Sequence, residues 1–183
     1  MLVALTGTPG TGKTSTADRL EQKGYQIIRL NSLAQEQGFL DGFDKKRKTK
    51  LMDMTAMNRY VKKTYKTCDL VFFEGHASHL LSVDYVILLR CHPHELKKRL
   101  QKKKWNSKKI QENIEAEALD VILCEAVDCH PEKNIFEIDT TQHSVDRIVS
   151  SIEEIIRNNF QPIKKYTIGM IDWSEDLFGR SSA

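Results

Sequence analysis

Short apolar runs alternate along this chain with stretches in which apolar residues return every three or four positions. Leu2-Val3-Ala4-Leu5, Tyr25 to Leu30, Leu70-Val71-Phe72-Phe73, Tyr85-Val86-Ile87-Leu88-Leu89 and Ile135 to Ile138 predict five strands. The runs are continuous rather than alternating, as strands buried on both faces of a parallel sheet require. Between them the period changes to that of a helix. One helix is predicted from about Gly12 to Lys23, with Gly24 placed to end it in a left-handed cap. A second runs from about Ser107 to Val127, with Ile110, Ile114, Ala118, Val121 and Ile122 on one face. A third runs from about Ser144 to Asn158, with Val145, Ile148, Val149, Ile152, Ile155 and Ile156 in one stripe. Strand and helix in alternation predict an α/β fold around a parallel five-stranded sheet.

Composition changes this picture little. With 183 residues, 40% of them hydrophobic and 29% charged, the chain fits one domain with a substantial core. The net charge of +3 does not by itself call for a nucleic-acid partner. No run approaches the roughly 20 apolar residues needed to span a bilayer. Nor does Leu2 to Leu5 read as an export signal, so a cytoplasmic location and reduced cysteines are expected. Gln161 to Ala183 form a C-terminal extension whose Ile168, Met170, Ile171, Trp173, Leu177 and Phe178 are expected to pack on the domain or on a partner.

The chemistry begins where the first strand ends. Gly7-Thr8-Pro9-Gly10-Thr11-Gly12-Lys13-Thr14 fits the phosphate-loop pattern, directly after a strand and opening a helix. Gly10 and Gly12 let the backbone wrap around phosphates, and the loop amides and helix N-terminus supply positive potential. Lys13 is the expected partner of the β- and γ-phosphates of ATP, Thr14 the expected ligand to Mg²⁺, and Ser15 a contact on the α-phosphate side. No N-K-x-D or T-K-x-D guanine signature occurs, which argues against a GTPase, and the length argues against a motor or helicase.

Further segments share an order and spacing with a known family: Leu40-Asp41-Gly42-Phe43-Asp44, Glu74-Gly75-His76, Leu89-Arg90, Lys108 to Glu117 and Asp139-Thr140-Thr141. Over residues 1–160 the chain resembles adenylate kinase isoenzyme 6 and its archaeal homologues, nucleoside monophosphate (NMP) kinases that also hydrolyse ATP. The resemblance implies a P-loop, doubly wound nucleotide-kinase fold. It also implies an NMP-binding segment over about residues 29–52 and a lid over about 102–112. It further implies ATP and a nucleoside monophosphate as substrates, and a second role in small ribosomal subunit assembly, with a platform protein or rRNA as partner.

Glu74 then takes the Walker B position, where the family usually has Asp, and His76 keeps its spacing two residues on. Both are expected to be catalytic alongside Lys13: Glu74 organises the metal and His76 the attacking oxygen, while His79 is structural or solvent-facing. Two departures concern the arginines. The lid reads Lys103-Lys104-Trp105 where the family has Arg, Gly and Tyr, so Lys103 supplies charge without the guanidinium fork. Gln35 replaces an arginine early in the NMP segment, leaving Arg29, Arg47 or Arg90 as substitutes. The basic clusters Lys45 to Lys48, Lys97 to Arg99, Lys102 to Lys104 and Lys108-Lys109 read as solvated faces that favour phosphate, with an RNA contact as the alternative. Trp105 is then a candidate for stacking on a base.

Overall fold

The computed structural model describes residues 1–44 and 49–173. In chain order the elements are β1 (Leu2–Thr6), α1 (Lys13–Gln22), β2 (Gln26–Arg29), α2 (Leu30–Glu36), β3 (Leu40–Asp44), β4 (Thr49–Met52) and α3 (Met54–Thr64). They continue with β5 (Val71–Glu74), a 3-10 turn at Ser78–Leu80, β6 (Tyr85–Arg90), α4 (Pro93–Lys102), α5 (Ser107–Ala118), α6 (Val121–Cys129), β7 (Ile135–Asp139) and α7 (Val145–Arg157). All five predicted strands form one parallel sheet in the order β2-β5-β1-β6-β7. The chain leaves β1 toward one side of the sheet and β6 toward the other. The C-terminal edge of β1 therefore lies where open α/β sheets bind ligands.

Each strand is buried on both faces because helices cover both. Val3 and Leu5 of β1, with Phe72, Ile87, Leu89, Phe136 and Ile138, pack against Ala17 and Leu20 of α1 and Ile148, Val149, Ile152 and Ile155 of α7. On the opposite face Val71 and Phe73 meet Leu30 and Leu33 of α2 and Met57 and Val61 of α3. Ala4 and Val86 meet Ala126 of α6 on that same side. Alternate residues of one strand thus enter different cores, as a period of two demands. Helix starts follow the expected capping chemistry. Asp53, Asn106 and Ser144 accept hydrogen bonds from the main-chain N–H three residues ahead.

Three features differ from the sequence reading. The helix expected over Ser107 to Val127 is two helices, broken at Leu119-Asp120, with Asp120 in the left-handed region at φ 54°. The Asp120 carboxylate pairs with Arg90, and that pull takes the chain out of helix although the apolar stripe runs on. Val121, expected on the buried face, is 38% exposed as a result. Secondly, β3 and β4 form an antiparallel hairpin within residues 29–52, where the sequence offered no regular alternation. Thirdly, α4 and α5 form a helical hairpin with a small core of its own. Trp105 packs there against Cys91, Leu96, Leu100, Ile110 and Ile114, with the Lys109 ammonium 4.0 Å from its ring centroid. It is therefore committed to the hairpin rather than held out to stack on a base.

Through residue 173 the extension folds back on its own domain. Tyr166 is buried and donates its hydroxyl to Glu154 at 2.8 Å, and the Gly169 N–H donates to Glu137 Oε2 at 2.9 Å. Leu177 and Phe178 lie outside the described residues, as do Lys45 to Lys48. Among the described residues no helix is long and apolar enough to cross a membrane.

Candidate active site

The phosphate loop occupies the turn between β1 and α1. Gly7 has φ 141°, and a Cβ there would lie 2.3 Å from the Leu89 carbonyl oxygen, so only glycine lets the loop leave the sheet along this path. The loop closes on itself. The Thr11 N–H and hydroxyl both donate to the Thr8 carbonyl, at 3.2 and 3.0 Å. Lys13, 8% exposed, folds its ammonium onto the Gly7 and Thr8 carbonyls at 2.7 and 3.1 Å. Thr14 and Ser15 stand exposed on the first turn of α1, after Gly10 and Gly12.

Parallel pairing of β1 with β5 sets Leu5 opposite Glu74. This register brings the Glu74 carboxylate to the loop, where Oε1 accepts from the Thr14 hydroxyl at 3.2 Å. Gly75 is forced by close approach, since a Cβ there would lie 2.9 Å from Leu30 Cβ at the start of α2. His76 is on the exposed rim beside the Gly7 backbone. Its pKa is held below the ordinary histidine value, first by desolvation and then by the Lys13 charge, with the Gly7 backbone pulling the other way. The imidazole is accordingly neutral at pH 7.

Burial also lowers the Lys13 pKa to about 8. Glu74 and then Glu117 oppose the shift, and Lys103 adds to it. Lys103, in the turn between α4 and α5, thus adds positive potential at the loop. At the next position, Lys104 adopts φ 57°, a left-handed conformation that glycine takes more readily than lysine. A bound polyphosphate favours the charged ammonium and so raises the Lys13 pKa. ATP binding is therefore expected to take up about half a proton at pH 8 and close to one at pH 9, and to weaken as pH rises. Calorimetry in buffers of different ionisation heat measures this directly. Zero uptake would show that Lys13 does not touch the phosphates.

The candidates for a replacement arginine are placed elsewhere. Arg90 is not available as a clamp: it is 1% exposed, and its guanidinium is spent on buried carboxylates. It donates to Glu117 Oε1 at 2.9 Å, to the Glu117 carbonyl at 3.2 Å, and to Glu137 and Asp120. Glu117 in turn accepts from the Cys91 N–H at 3.0 Å and from the Thr8 hydroxyl of the phosphate loop. A buried charge network therefore ties the C-terminal end of α5 to the loop. The sequence carried one signal of it, since Arg90 and Glu137 are charges set in otherwise apolar strands. Arg29 is held on α1 by Asp18 and Glu21 at 2.6 and 2.9 Å, Gln35 is exposed on α2, and Arg47 lies outside the described residues.

His79 is structural and buried, not solvent-facing. It is 1% exposed and joins Thr6 at the end of β1 to Glu125 on α6.

Comparison with known proteins agrees with this fold. A family model described as an AAA domain matches residues 3–120. A protein of Archaeoglobus fulgidus named "Putative adenylate kinase" is 40% identical over 98% of this chain and 96% of its own length. A protein of the same name from Methanocaldococcus jannaschii is 35% identical over 97% and 96%. Among solved structures, deoxyadenosine kinase from M. mycoides superposes with a TM-score of 0.57 at 16% identity, covering 87% of this chain and all of that one. That likeness speaks for a shared nucleotide-kinase fold, and the near full-length identity makes this chain a member of the archaeal adenylate-kinase-like family.

Proposed function

We propose that this protein transfers the γ-phosphoryl group of ATP to a nucleoside monophosphate, with hydrolysis of ATP as a competing reaction. The observation that carries the reading is convergence. Lys13, the Thr14 hydroxyl and the Glu74 carboxylate meet at the mouth of one loop, and Lys103 adds positive potential there. Thr14 Oγ1 and Glu74 Oε1, 3.2 Å apart, are hard oxygen donors of the kind Mg²⁺ takes, Glu74 directly or through water. When bound, Mg²⁺ neutralises charge on the β- and γ-phosphates.

The protein groups divide the remaining work. Lys13 exchanges the Gly7 and Thr8 carbonyls for phosphate oxygens and stabilises charge on the transferring group. Lys103 closes from the lid turn and helps exclude water, the rival acceptor. The oxygen of a monophosphate is already anionic and needs no base. Water does need one, and the neutral imidazole of His76 at the rim is suited to orient it and take its proton. His76→Ala is therefore expected to slow ATP hydrolysis by about 100-fold and phosphoryl transfer by much less. Unchanged rates in both assays would remove His76 from the mechanism.

The acceptor side is poorer in charge than the donor side. Gln35 cannot neutralise a monophosphate, Arg29 is tied to Asp18 and Glu21, and Arg90 is buried. AMP is thus expected to stimulate ATP turnover only a few-fold over hydrolysis. ATP consumption measured with and without each monophosphate is the test, and no ADP formed from AMP would overturn the kinase reading. A second reading rests on the α4–α5 hairpin, where Lys97, Lys98, Lys102, Lys104 and Lys108 are all exposed. There the protein is an ATPase switch acting in small ribosomal subunit assembly, and rRNA or the subunit, rather than AMP, changes the rate.

A further inference from the structure

Behind the Glu74–His76 turn lies a hydrogen-bond chain that phosphate binding does not use. The Thr6 hydroxyl is 3.0 Å from His79 Nδ1 and 3.1 Å from the His76 carbonyl oxygen. On the far side of the ring, His79 Nε2 is 2.9 Å from Glu125 Oε2. His130, at the end of α6, places its Nε2 2.7 Å from the His79 carbonyl and so fixes the main chain of the same residue. Thr6 and His79 are essentially sealed from solvent, whereas the Glu125 side chain is 51% exposed.

Counting protons shows that this chain has two states. A bare Nε2 facing a carboxylate at 2.9 Å is repulsive, so Nε2 carries a proton in both. When the ring is neutral, Nδ1 is then a lone pair, and it takes the single hydroxyl proton of Thr6. The His76 carbonyl is left without that donor. When the ring is protonated, Nδ1–H donates to Thr6 Oγ1, and the hydroxyl proton turns to the His76 carbonyl. We propose that His79 is a positioning residue for the Glu74–His76 turn: its protonation, relayed through the one hydroxyl of Thr6, decides whether the His76 main-chain carbonyl is anchored.

The groups facing His79 set where the exchange occurs. Burial disfavours the charged ring and holds its pKa below the ordinary value. Glu125 opposes this, as does a weaker contact of the ring with the His76 backbone, and His130 adds to it. His76 is on the same turn, and Thr6 faces the ring from β1. The relay acts first on the position of His76, at the rim of the phosphate loop. Its effect belongs in kcat rather than in the KM for ATP.

The decisive measurement does not depend on turnover. The Ala77 N–H shares its peptide with the His76 carbonyl, so its amide resonance reports whether that carbonyl has a donor. A His76→Gln background removes the neighbouring ring while keeping the peptide. In that background, the Ala77 amide and the His79 ring are expected to titrate with one midpoint. Thr6→Val should flatten the Ala77 titration while His79 still titrates, and Thr6→Ser should restore it. Glu125→Gln, at a half-exposed surface position, should lower the common midpoint by about one pH unit. An Ala77 titration that persists in Thr6→Val, or a His79 ring that stays neutral until acid unfolding, overturns the relay.

The activity arm rests on the kinase reading. With His76 intact, kcat should show a several-fold inflection at the His79 midpoint, absent in Thr6→Val, present in Thr6→Ser, and without change in the KM for ATP. If AMP supports no turnover, the kinase reading fails, yet the resonance titration still decides the relay.

Discussion

Arg90→Met is expected to destabilise the fold by about 3–5 kcal/mol, read as a large fall in the urea midpoint at pH 7. The Arg90 side chain is 2% exposed and faces Glu117 and Glu137, themselves 2% and 1% exposed, with Asp120 at the edge. Methionine fills similar space but leaves two carboxylates in a dry interior without their cation. They have one escape, which is to take up protons.

Glu137 is already pushed above the usual carboxylate range by burial, against the pull of Arg90. An acid raised in the folded state binds more protons folded than unfolded, so stability falls as pH rises between the unfolded and folded values. Removing Arg90 extends that window upward. The defect of Arg90→Met should therefore shrink from pH 7 to pH 5, opposite to the loss that a simple surface salt bridge shows on acidification. Arg90→Lys retains the charge but not the fork and should fall between the two. A variant as stable as the parent at both pH values would show that the network contributes nothing to the fold.

The second large effect falls on chemistry. Lys13→Met is expected to lower ATP turnover by about 100- to 1,000-fold, since it removes the buried cation that rests on the Gly7 and Thr8 carbonyls and is proposed to turn to the phosphates. Two opposing terms keep its stability close to that of the parent. The variant loses the hydrogen bonds to Gly7 and Thr8 but no longer buries a charge whose pKa is lowered to about 8. A loss of activity with an unchanged urea midpoint separates this effect from misfolding. Near-normal turnover would remove the phosphate-loop lysine from the mechanism.

The five strands were legible because a strand buried on both faces must be apolar throughout, and β1, β5, β6 and β7 begin and end within a residue or two of their apolar runs. The break at Asp120 was not, because an apolar stripe continues through it and the cause lies 30 residues away in Arg90. The β3–β4 hairpin was missed for a related reason: a short run around Gly42 has no strong period of its own.

The same division holds in the site. Lys13, Thr14, Gly10 and Gly12 are adjacent in sequence, and a loop whose geometry follows from consecutive backbone angles can be read from consecutive residues. Glu74 and His76 were readable because a strand end next to the phosphate-loop strand is a fixed place in such a sheet. The fate of the arginines was not readable. Arg29 and Arg90 look alike in a sequence, yet one is half-buried on a surface acid pair and the other is the hub of a sealed network.

Sequence alone therefore determined the frame of the candidate site: a parallel sheet, a phosphate-loop pattern at the end of its first strand, and a carboxylate at the end of the neighbouring strand. Tertiary structure decided what surrounds that loop. Glu117 reaches Thr8 across 109 residues, and His79 reaches Thr6 across 73. A linear pattern records which residues are polar. It does not record which are sealed from water, and sealing decides whether a charge is free for a substrate or held by the fold.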